Sequence, residues 1–476
     1  MKKKSICTIF ALNMKTIILL RNTLKILLLF LATCCLFVSC KDDDFSTNPA
    51  HKLSFSKNVL SFDTLFTTVG STTRTFMVYN KNNRPLRISE IRLPNNSMFR
   101  MNVDGVSDNV MTNVEIRAKD SMFVFVEVTI DPRNESLPFL VEDSIMFYTN
   151  TNVQHVKLTA YGQDAVIFRN RTLPDTTLLG EKPYLIFGDL IAENLTIEEN
   201  SRLFFRHNAN LIVNGNLRIN GTREEPVIFR GDRLDNFLQD YKYDDLPGQW
   251  GGIVLASEHD HYINFAHIRN GKTGIRIDSA TLKIENSMVH NFDGYGIKAK
   301  HAEIWIGNSL IANCSENCLQ FIGGKHDIIQ STIANFYSNL SADTQRKGVA
   351  VLLTNSDGDE NVALSQVTFI NSIVYGSFQN EITLRKKDDV EFNYSFQHCL
   401  LRARESDFDE NNLLNIIWNE NPEFVNTKFP YDFRLKTNSP AIDKGDPAIL
   451  LIYPYDLAGN LRTGNPDLGA YKYIAE

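Results

Sequence analysis

A repeat of 21 or 22 residues between Tyr262 and Phe336 constrains the fold of this sequence more than any other feature. An aliphatic residue followed two positions later by asparagine recurs in four tripeptides, Ile268–Asn270, Val289–Asn291, Ile311–Asn313 and Ile333–Asn335. So short a period is typical of a β-solenoid, because helical repeats are usually longer. Within each repeat, apolar and polar residues alternate as they do in strands. The sequence therefore predicts stacked coils of a parallel β-helix.

The four asparagines of this repeat predict a structural ladder. In stacked coils, equivalent side chains lie about 4.8 Å apart, so their amides can hydrogen-bond from one coil to the next. A second column in the same phase is formed by Ala266, Ser287, Ser309 and Ser331. The predicted asparagine ladder consists of Asn270, Asn291, Asn313 and Asn335.

Sequence blocks on both sides of the repeat extend the β-helix to residues 189–404. The segments Leu211–Gly215, Leu217–Gly221 and Glu225–Phe229 resemble the first coils of bacterial right-handed parallel β-helix proteins of the pectin-lyase-like type. After Arg404, five short motifs resemble the C-terminal cap of secreted β-helix proteins of the choice-of-anchor type. This resemblance implies that residues 405–476 cover the end of the solenoid, whose strand edges would otherwise be unpaired.

Residues 53–164 have a different pattern, with longer strands separated by turns. Thr75–Tyr79 is followed by the turn cluster Lys81–Pro85 and by another strand, and Met122–Ile130 is almost wholly apolar or β-branched. About seven strands in a stretch of this size fit an immunoglobulin-like sandwich. The layout resembles the ASH/Hydin-like immunoglobulin domains of bacterial surface proteins. We therefore expect an all-β chain, in which an N-terminal immunoglobulin-like β-sandwich and a connector at 165–188 precede a right-handed parallel β-helix with a C-terminal cap.

The N-terminus carries a targeting signal. Basic residues precede the apolar run Ile26–Val38, which is too short to span a bilayer as a helix and is typical of a secretory signal peptide at 1–39. Met14 is as good a start as Met1. The run ends in Ser39 and Cys40, which resembles a bacterial lipobox, and Cys40 would then be lipidated. The sequence Lys41, Asp42, Asp43, Asp44 resembles the export signal of surface-exposed Bacteroidota lipoproteins.

These resemblances imply an outer-membrane lipoprotein that faces the cell exterior, held by acyl chains such as palmitate and by a tether at 40–52. Removal of residues 1–39 takes away six basic side chains and no acidic ones, which changes the net charge from −7 to −13. Nucleic-acid-binding proteins are normally basic, so that class of function is disfavoured.

No metal or other cofactor is predicted. Cys314, Cys318 and Cys399 remain after the signal and anchor are set aside, and they lack the spacing of a zinc site. Buried free thiols are the preferred interpretation, and a Cys314–Cys318 disulfide stays open. His259 and His261 would share a strand face without a third ligand. Asp357-Gly358-Asp359 is an incomplete calcium loop.

Catalytic residues are not predicted either. A glycoside hydrolase needs converging carboxylates, but the outward columns of the repeat stack none. They suggest only an exposed ion pair between Asp278 and Lys300. Acids occur in two insertions instead, as Asp240, Asp244 and Asp245 and as Asp357, Asp359 and Glu360. The first insertion also offers Tyr241 and Tyr243 as possible binding residues.

Three functions remain open from the sequence. We favour a non-catalytic scaffold or binding subunit at the cell surface, which docks a protein partner in the outer membrane or holds a glycan. The alternatives are a polysaccharide lyase or glycoside hydrolase on the β-helix, and a pure glycan-binding module.

Overall fold

A computed structural model describes residues 44–238, 241–256, 258–338 and 345–475. The predicted signal peptide, Cys40, Lys41, Asp42 and Asp43 therefore lie outside the described residues, whereas Asp44 is exposed. By its contacts the chain divides into two compact units. The first runs to Ser61 and includes Ser71–Val128 and Glu142–Thr159; the second includes Phe62–Gly70, Thr129–Val141 and the chain from Ala160 onward.

The N-terminal strands form the predicted immunoglobulin-like sandwich. They are β1 (Ser54–Phe55), β2 (Val59–Phe66), β3 (Arg74–Tyr79), β4 (Leu86–Arg92), β5 (Phe99–Val103), β6 (Val106–Ser107), β7 (Val110–Ile116), β8 (Ser121–Val128), β9 (Phe139–Thr149) and β10 (Asn152–Gln163). One five-stranded sheet has the order β1-β3-β8-β5-β6 and the other the order β2-β10-β9-β4-β7. Period-two alternation buries one face of each strand, and the rings of Phe76 and Phe147 meet edge to face between the sheets with centroids 6.3 Å apart.

The parallel strands begin with β11 (Val166–Leu173), β12 (Thr176–Leu178), β13 (Tyr184–Ala192), β14 (Leu195–Glu198), β15 (Arg202–Phe205), β16 (Asn210–Val213), β17 (Leu217–Asn220) and β18 (Val227–Gly231). A first insertion contains the hairpin strands β19 (Asn236–Leu238) and β20 (Tyr241–Lys242) and the 3-10 helix Tyr243–Asp245. Because β11 pairs in parallel with β13, the segment 165–188 that we expected to be a connector carries strands of the β-helix.

The repeat region supplies β21 (Gly252–Leu255), β22 (Asp260–Asn264), β23 (Ala266–Arg269), β24 (Ile275–Asp278), β25 (Thr281–Glu285), β26 (Met288–Phe292), β27 (Ile297–Lys300), β28 (Glu303–Gly307), β29 (Leu310–Cys314), β30 (Leu319–Ile322), β31 (Gly324–Ile329) and β32 (Thr332–Asn335).

The chain continues with β33 (Val351–Thr354), the hairpin strands β34 (Ser356–Asp357) and β35 (Glu360–Asn361), β36 (Leu364–Ile370), β37 (Ile373–Gly376), β38 (Ile382–Arg385) and β39 (Ser395–Leu401). The 3-10 helices Glu405–Asp407 and Glu410–Asn412 precede β40 (Leu413–Trp418), and β41 (Phe424–Asn426), β42 (Asp432–Leu435) and the 3-10 helix Pro447–Leu451 complete the described elements.

In the repeat region each strand pairs in parallel with the strand three places along the chain, so that each coil contributes three strands. Three stacked sheets result. Sheet A consists of β14, β17, β22, β25, β28, β31 and β36. Sheet B consists of β15, β18, β23, β26, β29, β32 and β37. Sheet C consists of β16, β21, β24, β27, β30, β33 and β38. This arrangement is a parallel β-helix.

Two ladders run along the turn that joins sheet A to sheet B. In the serine ladder, each backbone N–H donates to the hydroxyl of the next coil, from Ala266 to Ser287, Ser309, Ser331 and Ser372 at 3.0–3.2 Å. In the amide ladder, Asn308 donates to Asn286 and Asn286 to Asn264 at 2.8 and 2.9 Å. Asn264, Asn286 and Asn308 were not identified from the sequence. Asn286 and Asn308 have φ of 50° and 46°, a left-handed conformation that asparagine tolerates better than most residues.

The C-terminal segment lies along the side of the β-helix, although the sequence motifs predicted that it covers the end. The outward residues of sheet B in β29, β32 and β37 pack with Phe424, Phe433, Leu435, Ala441 and Leu468. Farther along, Tyr453 donates to Glu285, and the Ala470 N–H donates to Thr332. The last coil is closed instead by β40, where the rings of Phe408 and Trp418 lie 5.3 Å apart.

Candidate functional site

The first insertion is fastened to sheet B through the backbone and side chain of Asp244. Its carboxylate lies 3.2 Å from Arg230 and 2.9 Å from Arg269. Asn270 donates to the Asp244 carbonyl at 2.6 Å, and Asn291 donates to the Asp245 carbonyl at 3.1 Å. Asp244 and Asp245, two of the acids noted in this insertion, are therefore bound to the β-helix.

A cleft of about 380 Å³ lies between this insertion and the segment Phe429–Arg434. Its floor consists of outward residues of sheet B, including Arg269, Met288, His290 and Leu310, together with turn asparagines. Outward residues of a strand alternate with core residues, so the buried neighbours Ile268, Val289 and Ile311 hold this floor in place. The size is within the range of small-molecule sites, about 300–1,000 Å³.

Aromatic residues form the wall opposite the insertion. Tyr431 and Phe433 are stacked, with centroids 6.1 Å apart and planes 8° apart. Phe429 meets Tyr431 edge to face at 6.3 Å. Tyr431 is also tied back to the β-helix through its hydroxyl, which lies 3.0 Å from Ser338 Oγ. Tyr471 completes the wall and reaches Met288.

Charged groups in the cleft are paired. Arg434 donates to Asp432 through Nε at 3.0 Å, and this bond lowers the pKa of the Asp432 carboxyl below its ordinary value. Asp244 is paired with Arg230 and Arg269, as described above. Asp245 accepts from the Lys242 N–H at 2.9 Å. The Asp244 and Asp432 carboxylates are thus neutralised by guanidinium groups, whereas Asp245 accepts from a backbone N–H and Arg269 Nε has no partner in the described residues.

Two histidines lie on the outward side of sheet B in or beside the cleft. Burial, helped by the nearby Arg269 charge, lowers the pKa of His290 to about 3 and that of His267 to about 4. Both imidazoles are therefore neutral near pH 7. A neutral imidazole offers one hydrogen-bond donor and one acceptor.

The four predicted ladder asparagines occupy equivalent turns at the end of sheet B, because the strands before them are in register. Asn291 donates to Asn270 at 2.9 Å. Asn313 instead accepts from the Phe336 N–H, and Asn335 bonds the backbone of Cys314. Asn270, Asn291 and Asn313 all line the cleft, and the first two also hold the insertion through Asp244 and Asp245.

The proposed binding tyrosines have different surroundings. The guanidinium carbon of Arg233 lies 3.9 Å from the centre of the Tyr243 ring, within the first insertion. Tyr241 lies in β20. Tyr243 is not among the residues that line the cleft. Asp240 lies outside the described residues.

The second acidic insertion is also engaged in ion pairs. Lys300 lies 2.9 Å from Asp357 and 2.6 Å from Glu360. The expected pair of Asp278 with Lys300 is wrong, because the hairpin of β34 and β35 brings these two acids to Lys300 and Asp278 faces His301 at 3.5 Å. The Asp359 carbonyl accepts from Lys387.

The other metal and thiol candidates have ordinary structural surroundings. His261 is buried and accepts from the Leu217 N–H at 3.2 Å. Cys314, Cys318 and Cys399 are free and buried. In the described parts of the chain, no three histidine, cysteine, aspartate or glutamate side chains are grouped as a metal site would require. Within the same ranges, none of the helices combines the length and apolar character that a membrane crossing needs.

Comparison with known proteins gives fold likenesses alone. No family model matches the chain, and no curated protein matches it. The pectate lyase Pel9A is 11% identical with a TM-score of 0.31, and the match covers 65% of this chain and 88% of the lyase. A Porphyromonas gingivalis W83 protein of unknown function is 16% identical with a TM-score of 0.18, over 26% of this chain and 50% of that one.

The ASH/PapD-like domain 7 of human CEP192 is 12% identical with a TM-score of 0.17, and the match covers 27% of this chain and 94% of that domain. The chain thus spans half the length of the P. gingivalis protein and most of the other two. At these values none of the matches bears on activity. The class of the chain, an immunoglobulin-like sandwich with a parallel β-helix, follows from its strand pairing.

The cleft was not predicted from the sequence because the segment that forms its aromatic wall is distant in the chain from the strands that form its floor. The floor was indicated by Met288 and Leu310, which occupy outward positions of the repeat. Such positions are usually polar in an uncovered sheet. An apolar outward column predicts a covering segment, and in the structure Phe433 and Tyr471 belong to that segment.

Proposed function

We propose that this chain is a surface-exposed outer-membrane lipoprotein that acts as a non-catalytic scaffold or binding subunit, with the cleft on sheet B as a binding site. The observation that supports a non-catalytic role is the pairing of the cleft carboxylates. Asp244 contacts Arg230 and Arg269, and Asp432 contacts Arg434. A general acid must hold a proton near neutral pH, whereas the hydrogen bond from Arg434 lowers the pKa of the Asp432 carboxyl, and the Asp244 carboxylate is occupied by two arginines.

The test is a comparison of binding and turnover in the same preparation. The full-length chain, purified from membranes in a detergent without a sugar headgroup, is incubated with a panel of neutral and acidic polysaccharides. We expect ligand-dependent stabilisation against heat without new reducing ends and without the ultraviolet absorbance of unsaturated uronates. Release of either product, lost in the variant Asp244→Asn, would establish the enzyme alternative.

The lipid anchor is proposed on the lipobox-like sequence before Cys40 and the acidic residues after it. Several acyl chains would hold the protein durably on a membrane. Metabolic labelling with radioactive palmitate should mark the wild type and the matched variant Cys35→Ala, but not Cys40→Ala. Label on Cys40→Ala would contradict the anchor.

Exposure at the cell exterior and a protein partner are further parts of the proposal. Proteinase K added to intact cells should degrade the wild type, and a variant with Asp42, Asp43 and Asp44 replaced by alanine should be protected. Crosslinking before detergent extraction should recover a stoichiometric outer-membrane protein. Recovery of the chain alone after crosslinking would count against a complex.

A further inference from the structure

The floor of the cleft carries polar groups that have no partner among the residues that the structure describes. Asn313 is only 2% exposed and accepts from the Phe336 N–H through Oδ1, but its Nδ2 donates to no group among the described residues. Asn291 uses its Nδ2 for Asn270 and Asp245, while its Oδ1 receives no hydrogen bond there. The ring nitrogens of His290 have no partner in the described residues. These groups remain available to a ligand.

Asn291, Asn313 and His290 are uncharged, and they lie next to each other. Asn291 and Asn313 occupy the same position in successive coils, about 4.8 Å apart, and His290 directly precedes Asn291 in β26. Together they present an amide oxygen, an amide nitrogen and a neutral imidazole. Such a row can donate to and accept from adjacent hydroxyl groups of one ligand.

Most of the charge around the cleft is already paired, apart from Arg269 Nε, which is buried without a partner in the described residues, and Asp245, which accepts from a backbone N–H. Asp244 is held between Arg230 and Arg269, and Asp432 is held by Arg434. A ligand carboxylate would have to compete with these acids for their arginines. It would also lose its hydration without gaining a new counterion, which is costly.

The aromatic wall supplies the remaining element of recognition. Tyr431 and Phe429 line the same cleft as the polar floor. An aromatic face packs against the apolar C–H face of a sugar ring while the hydroxyl groups of the ring point to the polar side. An aromatic wall opposite a row of neutral donors and acceptors therefore matches a molecule that is apolar on one face and hydroxylated at its edge.

We propose that the cleft between the 3-10 helix Tyr243–Asp245 and β42 binds an uncharged oligosaccharide, with Asn291, Asn313 and His290 bonding its hydroxyl groups and Tyr431 packing on a ring face. This inference rests on the proposed binding role and specifies its ligand. It assigns the cleft to neutral sugars rather than to uronates or sulfated sugars.

The experiment is calorimetric titration of the full-length chain in a polyoxyethylene detergent, which has no sugar headgroup. The probes are maltotetraose, mannotetraose and cellotetraose as neutral sugars and tetragalacturonic acid as the acidic one. We expect at least one neutral tetrasaccharide to bind about tenfold more tightly than tetragalacturonic acid.

Two matched pairs of variants locate the site. Asn313→Asp keeps the side-chain shape and the acceptor for Phe336 but removes the free N–H donor, and it should weaken neutral-sugar binding by about tenfold. The same exchange at exposed Asn58 should leave binding unchanged. Tyr431→Leu should weaken binding, whereas Tyr431→Phe, which loses only the hydroxyl bonded to the β-helix, should retain it.

The outcomes separate this inference from the proposal on which it rests. Tighter binding of tetragalacturonic acid, or neutral-sugar binding that is unaffected by Asn313→Asp, would overturn the assignment and leave a binding protein. A chain that binds none of the four probes but is recovered with a stoichiometric partner would also overturn it, and leave the scaffold. Cleavage of a probe would overturn the non-catalytic function itself.

Discussion

Two outward faces of the β-helix differ in composition. In sheet C, the outward residues of β24 and β27 are Arg276, Asp278, Lys298 and Lys300, which are exposed or half-buried. In sheet B, the outward residues of β29, β32 and β37 include Leu310, Ala334 and Ile373, all buried beneath the C-terminal segment. The strands compared lie in different coils, with β24 and β27 before β29, β32 and β37, but their parallel backbone pairing is the same.

The difference shows that backbone pairing alone does not determine whether a face of the β-helix is exposed or covered. Parallel pairing repeats on every coil whatever the outward side chain, but an apolar outward column must be covered to leave water. Sheet B has such a column and a covering segment. The cleft lies at the edge of the covered area, where Met288 and Leu310 give way to Arg269 and His290.

The largest effect on stability is expected when part of the C-terminal segment that covers sheet B is removed. Phe433 is 5% exposed and packs in the cluster on sheet B. Phe433→Ala should reduce the free energy of unfolding by about 3–5 kcal/mol, through lost burial and the cavity left behind. The measurement is the urea midpoint of the β-helix transition. Leu451→Ala, on the same segment but 91% exposed, is the control and should change it little.

Acid should weaken the covered face selectively. The pKa of His290 is lowered from 6.5 to about 3 on folding, so between these values the unfolded chain binds a proton that the folded chain does not. Stability from this group is complete above pH 6.5 and is lost as the pH falls. From pH 7 to 4.5, His290→Gln should lose roughly 2 kcal/mol less than the wild type. Parallel losses in both proteins would refute the assignment.

A smaller effect is expected from the serine ladder, which leads into sheet B. Ser309 accepts from the Ser287 N–H at 3.1 Å and donates to the Gly307 carbonyl at 2.7 Å, and it is fully buried. Ser309→Ala should cost about 1–2 kcal/mol, because it leaves the N–H of Ser287 without a partner. Ser406→Ala, in an exposed 3-10 helix, should be neutral in the same urea titration.

The smallest effect on stability is expected for the uncovered outward face of sheet C. Arg276 is exposed in β24, and its replacement by alanine should change the free energy of unfolding by less than about 0.5 kcal/mol. If Arg276→Ala destabilised the β-helix as strongly as Phe433→Ala, sheet C would also need a cover, and the contrast between the two faces would not hold.

The coils were predictable because their signals are local and periodic. Ser287, Ser309 and Ser331 share one phase of the repeat, and the aliphatic residue two positions later faces the core in each coil. Residues 165–188 were misjudged because their two prolines suggested a connector, yet Val166–Leu173 pairs in parallel with β13.

The cleft was not predictable to the same extent, because its parts meet only in three dimensions. Asp244 was noticed as an acid in a loop, but its partners Arg230 and Arg269 lie on strands at both sides of the insertion. Tyr431 comes from more than 100 residues beyond the floor that it faces. The aromatic residues chosen from sequence, Tyr241 and Tyr243, belonged to the insertion itself.

The path of the C-terminal segment sets the number of coils in this protein. The segment bonds Glu285, Asn308, Thr332 and Asn371, which belong to four successive coils. Most solenoids can gain or lose a repeat between neighbours. Here an added coil would displace every later residue that bonds the segment by about 4.8 Å. A change in the number of coils would therefore require a matching change in the C-terminal segment.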